Sequence, residues 1–500
     1  MIRQLRILVV ALLLPGLGLL PACSQVTNPA TGEREYTAMS PAQEAEIGAE
    51  QHPLILQQFG GEYPDPELQA YVDEVGSRLA AASELPDLDF TFTLLNSDVA
   101  NAFALPGGYV YITRGILTLA ENEAEVAGVL GHEIGHVTGR HSAQRQTQAQ
   151  TAGILGTLGT VAAAILFGQT GAELAQQAAG IGAQAYVASY SRDQELEADT
   201  LGIRYLKGAG YDPTAMATFL EKLDALSGLE RAIAGQEGDP ASSWFATHPR
   251  TLDRVEDAIA AVEGGADGRI ARQAHLARID GMVYGPDPSQ GFVEGDTFVH
   301  PELGFAFEPP PGFQIQNTPS AVLGKDREGR LMIFTLARTE GRDLTSYVAG
   351  PGLREIAQQF QAEVSAPRGV QTFRVNGLPA ASASATLRKN GGTGDIGLAA
   401  VDAGSAAYRF VFLTSGNMSR EAARAFQQTV QSFRTLSREE AAAYQPRRIQ
   451  VVRAEGGRDV DAYVRRMDVE AAPAERFQVL NRLALQDGLS PGEEIKLIVR

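Results

Sequence analysis

Apolar residues recur at helical spacing through the first half of the chain and alternate as in strands through much of the second. SPAQEAEIGAEQ opens a helix. Ser40 fits the N-cap, Pro41 the first helical position, and Gln43 completes a capping box. PDPELQAYVDEVGSRLAAA predicts a second amphipathic helix from about residue 65. LDFTFTLL (88–95) alternates like a strand, and NAFALPGGYVYITRGIL (101–117) sets a Pro-Gly-Gly turn before the β-rich YVYIT. From about Glu121 to His141, Ala127, Leu130, Ile134 and Val137 recur at helical spacing and predict one helix. SRDQELEADTLGIRYLKGAG (191–210) predicts another, closed by glycines, with Leu196, Ile203 and Leu206 marking its buried stripe. Helices near 213–227 and 250–262 follow.

GGADGR (264–269) begins a shift in composition. From about residue 290 the chain turns β-rich, with helices interleaved near 351–363 and 419–433, as in a separate α+β domain. PELGFAFEPPPGF, the strands after it and the closing FQQTVQSF resemble the PsbP/Mog-like fold. No set of catalytic residues stands out in this part, so a binding or packing role is its default. IQVVRAEGGRDVDAYVRRM and FQVLNRLALQDGLSPGEEIKLIV then predict strand, helix, helix, strand. The LNRL and LSPGEEIKL segments resemble a degenerate LysM domain, a class that binds N-acetylglucosamine polymers such as peptidoglycan. RAEGGRDV departs from the usual Gly-Asp-Thr start, which leaves glycan binding and a plain packing module side by side. The expectation is therefore multidomain. It comprises a signal peptide (1–22), a mainly α-helical domain with a small β element (23–270), whose class the motifs below decide as that of a zincin-type fold, an α+β domain (285–437) and a small LysM-like module (446–500).

Composition narrows the choices. A formal net charge of -18 with no basic stripe excludes nucleic acid as a partner, because phosphate binding needs clustered Lys and Arg. The single cysteine, Cys23, excludes internal disulfides. It follows a basic start, MIRQLR, and an apolar run, ILVVALLLPGLGLL, that is short and broken for a spanning helix. LPAC resembles a bacterial lipoprotein signal, in which the cysteine carries the lipid anchor. Ser24 after it favours the outer membrane, facing the periplasm. Residues 24–39 then read as a tether, and 146–172 hold no charge. Their centre, 152–168, is Gly-rich and at the short end of a membrane span, so a buried or lid-like hairpin across 146–190 is the expectation.

The candidate chemistry lies in GHEIGH (131–136). His132 and His136, four apart, share one helix face and can reach one ion. Glu133, one residue round the helix, sits where a general base must be. A catalytic zinc needs a third protein ligand and an open position. ELEAD (195–199) offers Glu195 as the ligand and, on the same face, Asp199 to accept the other ring N–H of a ligand histidine. Glu197 faces elsewhere and is unassigned. His141, five residues past His136, projects about 140° off the ligand face at 100° per residue. His52, His141, His275 and His300 read as structural or surface histidines.

HEIGH paired with ELEAD resembles the gluzincin metallopeptidases that include the HtpX membrane protease, the CAAX prenyl endopeptidases and the secreted BepA-like group. The resemblance implies one zinc per chain on His132, His136 and Glu195. ATHPRTLDR matches the family's His-Pro…Arg segment. That implies a role for His248 in stabilising the transition state or capping the zinc, with Arg254 beside the site. NAFALPGGYVYIT matches the strand that pairs with substrate backbone. The expected function is a zinc endopeptidase of the bacterial cell envelope, cleaving unfolded or misassembled envelope proteins, with peptidoglycan a second partner through the tail. Two rivals are a chaperone-like or peptidoglycan-associated binding protein with little proteolysis, and a membrane-embedded protease resting on 152–168.

Overall fold

The computed structural model describes residues 24–37, 39–151, 190–234, 248, 267–318, 320–389, 392–456, 459–481 and 488–500. The leader with Cys23, the stretch 152–168, the helix expected near 250–262 and Arg254 lie outside these residues. Among the described residues no helix is long and apolar enough to cross a membrane.

The expected tether is instead a hairpin of β1 (Ser24–Thr27) and β2 (Arg34–Thr37). Its turn is closed by Asn28, whose Oδ1 accepts from the N–H groups of Ala30 and Thr31. Asn28 Nδ2 also donates to Gly139 O at 3.2 Å, and Gln144 Nε2 donates to Glu35. The hairpin is thereby tied to the helical unit, which low local hydrophobicity did not announce.

Helix α1 (Pro41–Gln58) starts with the expected Ser40–Gln43 capping box. In α2 (Pro66–Ala80), Asp65 accepts from the N–H groups of Glu67 and Leu68, and Leu68, Val72, Val75 and Leu79 are buried. Three short strands follow: β3 (Thr91–Leu95), β4 (Ala102–Leu105) and β5 (Tyr109–Thr113). Their order is β3-β5-β4, with β3 parallel and β4 antiparallel to β5, so β4 is an edge strand. Next come α3 (Arg114–Leu119) and α4 (Glu123–Thr138), the latter carrying HEIGH. Asn122 caps α4 by accepting from Glu125 N–H.

One helix was expected from Glu121 to His141. The structure divides it. Helix α4 ends at Thr138, Arg140 takes the left-handed backbone at φ 56°, and α5 (His141–Thr151) begins anew. The Arg140 guanidinium holds this turn by donating to Met39 O and pairing with Glu44. Helix α6 (Arg192–Gly208), started by a Ser191–Gln194 capping box, lies against α4. The approach is close because glycines line it. A β-carbon at Gly135 would stand 3.0 Å from Ala198 O, and one at Gly202 would stand 3.0 Å from His132 N. Helix Thr214–Ala234 also packs on α4, its Met216 meeting Gly128 and Gly202.

After helix Arg272–Ile279, the strand Val283–Tyr284 pairs with Arg447–Arg448 of the C-terminal segment. That segment runs strand (Arg447–Arg453), helix (Val460–Val464), helix (Pro473–Asn481), strand (Glu494–Val499). Its apolar residues Ile449, Tyr463, Phe477, Ile495 and Leu497 share one core with α2, α4 and α6. Lys496 is buried, and its ammonium donates to the carbonyls of Thr118, Leu119 and Ala120 beside Glu121.

Between these parts lies the large β-rich region. An eight-stranded sheet, antiparallel throughout, buries Phe334, Tyr408 and Phe410 on one face, where they pack with Phe305 and Phe433 of the covering elements. Its other face packs under helices Leu344–Val348 and Pro351–Gln359 through Tyr347, Leu353, Ile356 and Leu398. Helix Arg420–Ser432 and the four-stranded sheet containing Phe305–Phe307 cover the aromatic side. With both faces covered, its central strands are buried almost continuously, as along Ala407–Leu413.

Candidate metal centre

Helical spacing puts His132 and His136 on one face of α4, and the glycine-lined crossing brings α6 within reach of that face. His132 Nε2 is 3.0 Å from His136 Nε2. Glu195 Oε1 is 3.5 Å from His136 Nε2, and Glu195 Oε2 is 3.6 Å from His132 Nε2. His248 enters from a distant part of the chain. Its Nδ1 is 3.2 Å from His132 Nε2 and 3.0 Å from Glu195 Oε1. One donor atom from each of these four residues lies within 4.8 Å of the other three. Glu133 is fully buried beside them, its Oε1 3.4 Å from His248 Nε2.

His132 Nδ1 is 2.8 Å from Asp199 Oδ1, on the side away from the cluster. That bond needs the ring proton on Nδ1, so Nε2 presents its lone pair inward. Burial pushes the His132 pKa down, against the hydrogen bond to Asp199, and pushes His136 well below its ordinary value. Both rings are thus held neutral, the form a ligand histidine needs. Inward lone pairs and a carboxylate aimed at one point repel one another unless a cation sits among them. Imidazole nitrogens with one carboxylate oxygen are a donor set that divalent ions accept. The residues present therefore fit a metal ion.

The edge strand β4 borders this cluster, and His248 Nε2 lies 3.4 Å from Ala102 O. Residues 66–262 match the family model described as peptidase family M48. This stretch of the chain is similar to M48 peptidases. Relatives of this stretch include the beta-barrel assembly-enhancing protease of Escherichia coli, 34% identical over 244 residues, or 47% of this chain and 47% of that protein. The protein of the same name from Yersinia pestis is 35% identical over 248 residues, covering 48% of each. The mitochondrial metalloendopeptidase OMA1 of Schizosaccharomyces pombe is 32% identical over 186 residues, 37% of this chain and 50% of that protein. The chain spans about half the length of these curated relatives. Two solved structures match the chain at a TM-score of 0.24 and 11% identity. They are the Ran-binding protein Mog1p of Saccharomyces cerevisiae, covering 27% of this chain and 92% of its own, and a cyanobacterial PsbP from Synechocystis, covering 29% and 96%.

Of the residues singled out in the sequence, the fold gathers His132, Glu133, His136, Glu195, Asp199 and His248 into one buried site. Cys23 and Arg254 fall outside the described residues. Two neighbours of the site were not assigned to it from the sequence. The Tyr190 ring stacks on His136 at 3.7 Å between centroids, with the Arg145 guanidinium 4.3 Å over its other face. His141 lies off the ligand face as expected but meets His136 from behind, Nδ1 to Nδ1 at 2.8 Å, because the helix breaks at Arg140 and α5 turns it back. The glycine at 139, before a new helix, was the readable sign of that break.

Proposed function

We propose that this chain is a zinc-dependent endopeptidase of the bacterial cell envelope, acting on unfolded or misassembled envelope proteins. The observation that carries the reading is the convergence of His132, His136 and Glu195, with Glu133 beside them and Asp199 behind. His132, His136 and Glu195 hold the zinc, and His248 either completes the set at rest or turns to the substrate. When bound, zinc supplies Lewis acidity to water and to the scissile carbonyl. Glu133 accepts the proton of the attacking water and returns it to the leaving amine. His248 donates a hydrogen bond to the developing oxyanion. Edge strand β4 offers backbone groups to which an extended substrate adds as a strand, giving affinity with little side-chain selection. Unfolded segments satisfy that requirement, and folded ones do not.

Names of the relatives support an envelope setting. Lipidation at Cys23 would anchor the chain in the outer membrane, facing the periplasm, and Arg254 would support His248. The β-rich region, read as PsbP/Mog-like, and the LysM-like tail would hold partners or peptidoglycan. The test is casein cleavage by the full chain purified in mild detergent. Wild type is expected to cleave, and Glu133→Gln to lose cleavage while keeping zinc. Cleavage undiminished in Glu133→Gln would sink the assignment. A zinc-loaded wild type that never cleaves would favour the chaperone-like reading.

A further inference from the structure

The two ligand histidines of α4 each turn Nε2 inward and so leave Nδ1 on the far side. His132 Nδ1 is answered by Asp199. His136 Nδ1 is answered by another histidine, His141, at 2.8 Å between Nδ1 atoms. Two facing nitrogens share one proton. If His141 supplied it, the proton of neutral His136 would sit on Nε2 and block the lone pair that ligation requires. The pairing compatible with a metal therefore has His136 donating from Nδ1 and His141 accepting. The proton of neutral His141 then lies on Nε2, which is buried and points to Glu197 Oε2 at 3.4 Å. Glu197 keeps one foot in solvent, its side chain 33% exposed.

We propose that His141 is a positioning residue for the metal centre, fixing the tautomer and ring orientation of His136, with Glu197 orienting His141 in turn. The proposal rests on the zinc reading above and extends it. Glu197–His141–His136 then runs parallel to the direct Asp199–His132 pair, so one helix, α6, supplies a ligand and both supporting carboxylates at 195, 197 and 199. The backbone is built to deliver this. The left-handed turn at Arg140 redirects the chain, and Gln194 Nε2 donates to Gln144 Oε1 at 2.9 Å, holding α5 to the start of α6. Stacking of Tyr190 on the other side leaves the His136 ring little freedom.

The test uses the full chain in detergent and measures zinc affinity by competition with a chromophoric chelator. His141→Phe fills the space but accepts no hydrogen bond. His141→Asn places Oδ1 where Nδ1 stood and restores the acceptor. His141→Phe is expected to weaken zinc binding about 10–100-fold, the usual range for losing such a partner. His141→Asn should recover most of that loss, and Glu197→Gln should weaken binding by a few-fold. With zinc in excess, kcat on casein should fall in His141→Phe with KM unchanged. The zinc-free thermal midpoint separates a misfolded variant from a folded one. Should His141→Phe fail to fold, Glu197→Gln and His141→Asn decide. Wild-type affinity in both a folded His141→Phe and Glu197→Gln, or an Asn variant no tighter than Phe, overturns the positioning role alone. A wild type that takes up no zinc overturns the metal-centre reading, and this role with it.

Discussion

Replacing Lys496 by methionine is expected to loosen the segment that leads into the HEIGH helix, although Lys496 lies four residues from the last residue of the sequence. Its ammonium donates to the carbonyls of Thr118, Leu119 and Ala120 at 2.9, 3.2 and 2.8 Å, where α3 ends. Methionine fills the space but leaves the carbonyls of Thr118 and Leu119 without that donor, while Ala120 O keeps His275 at 3.1 Å. Each buried acceptor left alone costs about 1–3 kcal/mol, and removing the buried ammonium returns part of its desolvation cost. Glu121 is not orphaned. Burial would raise its carboxyl, but Lys496, Lys222 and Arg272 hold it well below the usual range, and Lys222 (3.2 Å) and Arg272 (2.9 Å) remain in the variant. The net loss is about 3 kcal/mol, confined to the α3–α4 junction and the strand Glu494–Val499. A multidomain chain does not melt in one step, so the assay is hydrogen exchange by mass spectrometry. Amides of 116–121 and 494–499 should exchange about 100-fold faster, at roughly 1.4 kcal/mol per decade, while those of 380–401 should not change. Exchange at 116–121 within threefold of wild type would refute the clamp.

Other expectations follow from the same packing. Gly135→Ala brings a β-carbon to 3.0 Å from Ala198 O, so it should cost about 1–3 kcal/mol and push α4 off α6, seen as a lower melting temperature and reduced metal content. His275, bonded to Tyr71 and to the carbonyls of Leu117 and Ala120, has its pKa pushed down to about 3 by burial and by nearby Lys496. A folded pKa below the unfolded one means that its contribution is complete above about pH 6.5 and is lost as pH falls toward 3, about 2 kcal/mol of it by pH 5. His275→Gln should flatten the pH dependence of stability over that window, and an unchanged slope would contradict the assignment. Phe334→Ala removes a ring from the aromatic core of the β-rich region and should cost about 3–5 kcal/mol there. Because that core is separate from the one beneath α4, metal content measured on the folded variant should match wild type.

What could be read in advance was local. The capping box at Ser40, the helical spacing of His132 and His136, and the shared face of Glu195 and Asp199 depend on residues within one or two turns, and the structure has each of them. What was missed depends on breaks and on distance. A helix extrapolated through Gly139 hid the contact that His141 makes with the back of His136. The hairpin at Ser24–Thr37 owes its place to Asn28 reaching a carbonyl more than a hundred residues away. No periodicity reveals that Lys496 caps α3, or that the C-terminal segment shares the core of the helical unit, because such contacts join residues that composition treats as unrelated. Tyr190 gave no signal, since a ring beside a capping serine has no pattern to belong to.

The central claim is that His132, His136 and Glu195 hold one zinc ion and that Glu133 works beside it without holding it. Metal content by mass spectrometry on the full chain, purified without added zinc, tests that most directly. One zinc per chain in wild type, retained in Glu133→Gln and lost or weakened in Glu195→Ala, is the expected result. A wild type with no zinc, or a Glu195→Ala that keeps it as tightly, would contradict the account.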